Sequence, residues 1–139
     1  MKQKLLAVFT VVLACVSMCF TTVHAASSDY SFEMNYRLVD GSDLENYHSL
    51  DEGDVYIEGE VKVIDYAPGA SFKNTLYYAL IRKRLGPDKN CGSVSYSNYE
   101  DPDGELLGTA DISSGNYYLQ IFKVNDDGYD IAGSGKIYN

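Results

Sequence analysis

The chain has no tryptophan, and of its 3 cysteines and 2 histidines only Cys91 and His48 lie beyond the first 25 residues. Each shortage removes a class of function. Once Cys15 and Cys19 are set aside, no internal disulfide can form, so the fold must stand on an apolar core. A lone thiol at the start of a strand reads as a small buried residue rather than a nucleophile or a bridge to another chain. One histidine cannot supply a zinc cluster, and no cysteine, serine elbow or phosphate loop stands ready to work with it. His48 therefore reads as an ordinary surface histidine. The lack of tryptophan speaks against a flat polysaccharide platform. Basic residues are scarce too: 11 against 20 acids give a formal charge of −9. Lys2 and Lys4 belong to the amino-terminal segment, so the remainder is more acidic still. Double-helical nucleic acid and anionic membrane surfaces would repel such a protein, and the same acidity keeps an exported chain soluble. Catalysis retains one opening, a carboxylate pair for hydrolysis, because 20 acids offer many pairs.

What is present begins with a leader. Two lysines within Met1–Lys4 precede an uncharged apolar run from Leu5 to Val23, and Val23-His24-Ala25 supplies small or β-branched residues at a signal-peptidase site. Residues 1–25 are predicted to be a secretory signal cut after Ala25, with Ala26 as the second choice. A membrane anchor and lipid attachment at Cys15 rank below it. Residues 26–139 then form a single domain that is secreted and carries no membrane segment after cleavage.

Strand signals fill that domain. Asp111 to Val124 is the clearest turn-to-strand passage: Gly115 permits a sharp turn, then Tyr117, Leu119 and Ile121 face one side while Tyr118, Gln120 and Phe122 face the other. Ser31–Leu38 alternates with Phe32, Met34, Tyr36 and Leu38 inward. Asp54–Ile64 alternates with Val55, Ile57, Gly59, Val61 and Val63 inward. Phe72–Lys83, with Leu76, Tyr78 and Leu80 inward, Cys91–Ser97, Glu105–Ala110 and Tyr129–Tyr138 complete the set. Between the first two lies an acidic, strand-poor stretch in which Ser42 and Glu45 could cap one helical turn. Gly133 and Gly135 suggest close backbone approach, a bulge or a weak edge. Seven short strands and no long helix predict an all-β antiparallel sandwich.

Asp111, Gly115 and Tyr117 resemble the corner before strand F in immunoglobulin-like and fibronectin-type sandwiches, where a tyrosine just after the turn bonds back to the backbone. The resemblance implies an immunoglobulin-like architecture for the sandwich and names no family.

If successive strands reverse, alternate loops share an end. Asp65, Glu100, Asp101, Asp103, Asp126 and Asp127 then gather at one end, and acidic Asp40–Asp54 lies near basic Arg82–Lys89 at the other. Asp101, Asp103, Asp126 and Asp127 are the candidate ligands for calcium, which takes six to eight oxygens. Their spacing does not match an EF-hand, and acids populate turns for backbone reasons, which is the preferred reading. Arg82 and Arg84 could dock an anionic partner or neutralise the facing acids. Tyr56, Tyr77, Tyr118 and Phe122, all outward, could form an aromatic surface if their strands are neighbours. The expected function is non-catalytic binding of an extracellular protein or cell-surface polymer. An inhibitor of a secreted enzyme, using the loops at Asp101 and Asp126, comes next, and a small hydrolase third.

Overall fold

The computed structural model describes residues 26–70, 72–108 and 112–139. The predicted leader over 1–25 and Asp111 of the corner lie outside the described residues. Nine strands form: β1 (Ser27–Met34), β2 (Leu38–Asp40), β3 (His48–Leu50), β4 (Val55–Tyr66), β5 (Leu76–Arg82), β6 (Lys89–Tyr96), β7 (Asp103–Gly108), β8 (Gly115–Lys123) and β9 (Tyr129–Tyr138). They make two antiparallel sheets. The first runs β1-β9-β4-β7; the second runs β2-β8-β5-β6, with β3 also on β8. The all-β, two-sheet expectation is met, and nine strands are present among the described residues where seven were expected.

The two additional strands come from the stretch read as a loop. β2 pairs with Phe122, Ile121 and Gln120 and β3 with Tyr117, Asn116 and Gly115, so they are one strand interrupted by the turn at 41–47. That turn is no helix. Asp40, not Ser42, is the capping residue: its Oδ1 accepts from the Ser42 backbone N–H at 2.9 Å and from Ser42 Oγ at 2.7 Å. Gly41 lies so close to β8 that a Cβ there would sit 2.8 Å from the Leu119 carbonyl oxygen.

Taking β2 and β3 as one interrupted strand, the strands pair first with last: β1 with β9, β2/β3 with β8, β4 with β7, and β5 with β6. The chain is a long hairpin with β5–β6 at its tip, wound so that successive pairs alternate between sheets. This is the strand order of a jelly roll, with two Greek keys. An immunoglobulin-like order would set the last strand beside β8. Instead β9 crosses to the first sheet and lies between β1 and β4.

Alternation places the core as expected on three strands: Val55 and Ile57 of β4, Leu76, Tyr78 and Leu80 of β5, and Tyr117, Leu119 and Ile121 of β8 are buried, whereas Gly59, Val61 and Val63 further along β4 are only half-buried. β1 is the exception. It starts four residues earlier than predicted and ends at Met34, so Tyr30, Phe32 and Met34 are buried while Tyr36 and Leu38 are 59% and 54% exposed. The bend at 35–37 breaks the period, and no period-two pattern survives a bend.

Four rings fill the middle. Tyr78 meets Tyr30, Phe32 and Tyr96 edge-on at 6.1, 6.1 and 5.7 Å, a favoured aromatic geometry. Glycines make the room. Gly135 opposes Gly59 on one side and Tyr30 on the other, and a Cβ on Gly135 would lie 2.0 Å from the Glu58 carbonyl oxygen. A Cβ on Gly133 would lie 2.4 Å from the Phe32 ring. Close backbone approach, and not a weak edge, is their role, because β9 is an inner strand.

Candidate functional site

Of the four outward aromatics, the fold joins Tyr77 and Phe122. They are opposite one another on β5 and β8, with ring centroids 5.1 Å apart and planes at 11°. On the far side of Tyr77 the partner is Ser95, too short to cover the other ring face. Leu38 is opposite Phe122 on β2, and the exposed Val124 follows at the end of β8. Arg37, Leu38, Gln120, Phe122 and Val124 line a shallow depression of about 380 Å³ on this outer face. The result is an apolar strip with one guanidinium at its rim.

Tyr118 and Tyr56 do not join it. Tyr118 shares the outer face, yet the turn at 41–47 folds over it: Tyr47 meets its ring edge-on at 6.1 Å, and with Ala79 and Ile81 it forms a small second core. Its hydroxyl donates to Asp88 Oδ2 at 3.1 Å, and burial together with that anion pushes its pKa up to about 12. Tyr56 belongs to the first sheet and stacks on Tyr138 at 5.8 Å.

Loop parity does bring β4–β5, β6–β7 and β8–β9 to one end, but the group they build there is centred on a lysine. Lys123 continues the inward register of Tyr117, Leu119 and Ile121, so its side chain is fully buried. Its Nζ lies 2.8 Å from Asp127 Oδ1 and donates to the Tyr129 carbonyl at 2.8 Å. Asp127 also accepts from the Tyr99 hydroxyl and, at 2.7 Å, from the Asn74 backbone N–H. Burial alone would raise the Asp127 pKa; the Lys123, Tyr99 and backbone bonds outweigh it and hold the carboxyl below its usual range. Asp101 and Asp126 turn their carboxylates elsewhere, and Asp103 is engaged through its backbone N–H. Asp101 accepts from Val61 N at 2.6 Å, Asp126 from Gly128 N at 3.0 Å, and Asp103 donates its own N–H to Glu105 at 2.7 Å. Among the described residues no three histidine, cysteine, aspartate or glutamate side chains gather closely enough to hold a metal ion.

At the opposite end the basic corner is occupied by its own loop. Arg84 donates to the Pro87 carbonyl through Nε and Nη2 at 2.9 and 2.7 Å, and Lys83 pairs with Asp88 at 3.6 Å. Arg82 lies over the Tyr117 ring at 5.9 Å and donates to Ser114 O. Tyr117 in turn donates to Ser113 O at 2.5 Å.

His48 is not a surface histidine. Only 1% of it is exposed, its Nδ1 is 2.8 Å from Ser28 Oγ, and its Nε2 is buried with no partner. Burial lowers its pKa. The sequence points the other way because β3 is only three residues long, and without a strand signal there is no parity from which to read the direction of His48. Lys123, by contrast, was in reach: carrying the alternation of β8 one step further places it inside.

No protein-family model, curated protein or solved structure matches the chain. Its chemistry is then read from the residues themselves. The outer face of the second sheet offers ring faces, an aliphatic flank and one planar cation, a set suited to packing and to hydrogen bonding at the margin.

Proposed function

We propose that this is an exported, non-catalytic binding protein that holds a protein partner, matrix or cell-surface polymer on the outer face of its second sheet. One observation carries the reading: the half-buried Tyr77–Phe122 stack, flanked by the exposed Leu38 and Val124, forms an apolar strip beside a depression. Contiguous exposed apolar surface of this kind is characteristic of interaction sites. The immunoglobulin-like resemblance enters only as one corner, the Tyr117 to Ser113 bond. The acidic loops that an inhibitor would present have Asp101 and Asp126 engaged in holding backbone.

The test is retention of envelope polymers and medium proteins from the producing cells by residues 26–139, at low and high salt. A Leu38→Asp/Val124→Asp variant serves as comparison, since both positions are exposed and the fold should persist. Retention by the native protein, little changed by salt and lost in the variant, is expected. Equal retention by both proteins, or none by the native one, would overturn the reading. A stoichiometric complex with one secreted enzyme, unaffected by the variant and weakened by salt, would favour the inhibitor instead.

A further inference from the structure

The opposite face of the molecule carries a second arrangement. Asp29 of β1 is opposite Lys136 of β9, Lys136 is opposite Glu58 of β4, and Glu58 is opposite Asp103 of β7. Four exposed charged residues from four adjacent strands therefore stand in one row on the outer face of the first sheet. Lys136 sits between two carboxylates, yet among the described residues it takes part in no ion pair. Its ammonium and the flanking carboxylates all remain open to a ligand.

The row crosses a concavity of about 520 Å³, with Ser134 and the backbones of Gly59 and Gly135 also in its lining. Tyr30 borders it from beneath, with its ring and hydroxyl buried in the core against Gly59. One step along the same face is the Tyr56–Tyr138 stack. Across β1 the partner of Tyr138 is Ser27, so the second face of that ring is uncovered.

A ligand for this surface must accept from an ammonium and donate to carboxylates within one site, and must also present an apolar face to a tyrosine ring. An anion would meet three carboxylates against one ammonium. A cation would meet the ammonium in the middle of the row. Hydroxyl groups on a ring donate and accept together, and the C–H face of that ring packs on an aromatic side chain. We propose that the concavity between β1, β9, β4 and β7 binds a neutral saccharide chain, with Lys136 and its neighbouring carboxylates on the hydroxyls and Tyr138 under the ring. Tyrosine here takes the part that the missing tryptophan would have played.

The experiment is titration of residues 26–139 with neutral pentasaccharides built of glucose, mannose, xylose, galactose or N-acetylglucosamine. Calorimetry and amide shifts of β4 and β9 report binding. At least one sugar should bind, be held equally at low and high salt, and lose about tenfold or more in affinity in Lys136→Met and in Tyr138→Ala. Unchanged melting temperatures would show those variants folded. Leu38→Asp/Val124→Asp, on the other face, should bind the sugar normally, which separates this proposal from the one above. The proposal is overturned if no sugar moves these amides, or if both first-sheet variants bind as tightly as the parent. It is equally overturned if the concavity takes a cationic oligoamine in a salt-sensitive manner and no sugar.

Discussion

His48 is held where a charge has no partner. Its ring bonds Ser28 through Nδ1 alone, and burial depresses its pKa. As pH falls below about 6.5, the unfolded chain takes up a proton that the folded chain refuses. Stability should therefore decline with acidification from about 6.5 down to the depressed folded value, by up to about 1.4 kcal/mol per pH unit. Urea midpoints measured across this window should flatten in His48→Gln, and an identical slope in that variant would show another group to be responsible. Lys123 obeys a different rule because it does have a partner. Removing it as Lys123→Met leaves Asp127 buried and unpaired, a change expected to lose about 3 kcal/mol. Adding Asp127→Asn should recover most of that loss in a double-mutant cycle, as the uncompensated charge is then gone. Tyr78 gives the opposite expectation. Its buried hydroxyl meets only that of Tyr30 and makes no hydrogen bond of normal geometry, so Tyr78→Phe should leave the melting temperature unchanged or raise it.

At the scale of the strand, β9 depends on what its glycines omit. The atom nearest a Cβ on Gly135 is a backbone carbonyl oxygen of β4, which cannot rotate aside as a side chain can. Gly135→Ala should lower stability by about 3 kcal/mol, read from chemical denaturation, whereas Ser134→Ala on the exposed side should change it little. The other strands show why part of this fold was legible in the sequence and part was not. β4, β5 and β8 turn alternate residues to the core between the sheets, so alternation alone reports their direction, and their inward residues follow from period two. β2 and β3 are three residues each, too short for a period, and are held by their register on β8 rather than by a pattern of their own. The end of β1 is lost to the bend at 35–37. The candidate sites divide on the same line. Facing direction can be read along a strand, so Tyr77 and Phe122 were correctly placed outward. Which strands are neighbours cannot be read, so Tyr56 was grouped with them although it belongs to the other sheet. Nor does parity reveal cover, and Tyr118 is outward yet enclosed by the turn at 41–47.

For the whole molecule, the balance of charge and the jelly-roll order act together. Residues 26–139 carry twenty acids against nine bases, so like charges in excess repel across the surface at moderate distance. Salt screens such repulsion, with the Debye length falling from about 30 Å at 0.01 M to about 8 Å at 0.15 M. Two exposed ion pairs, Lys62–Glu60 and Lys83–Asp88, would weaken at the same time, but such pairs contribute only about 0–1 kcal/mol each. The buried Lys123–Asp127 pair is scarcely screened. Repulsion should therefore dominate, and sodium chloride over that range should raise stability by about 1 kcal/mol, or about 4 °C in melting temperature. A fall would mean that attractive pairs outweigh the excess of acids. Calcium at matched ionic strength provides the sharper comparison. Asp101 and Asp126 hold backbone N–H groups, and Asp127 already has the Lys123 ammonium as its cation. Calcium should then stabilise no more than sodium does. A further rise with calcium, reversed by chelator, would require these acids to abandon their present partners and gather around the ion.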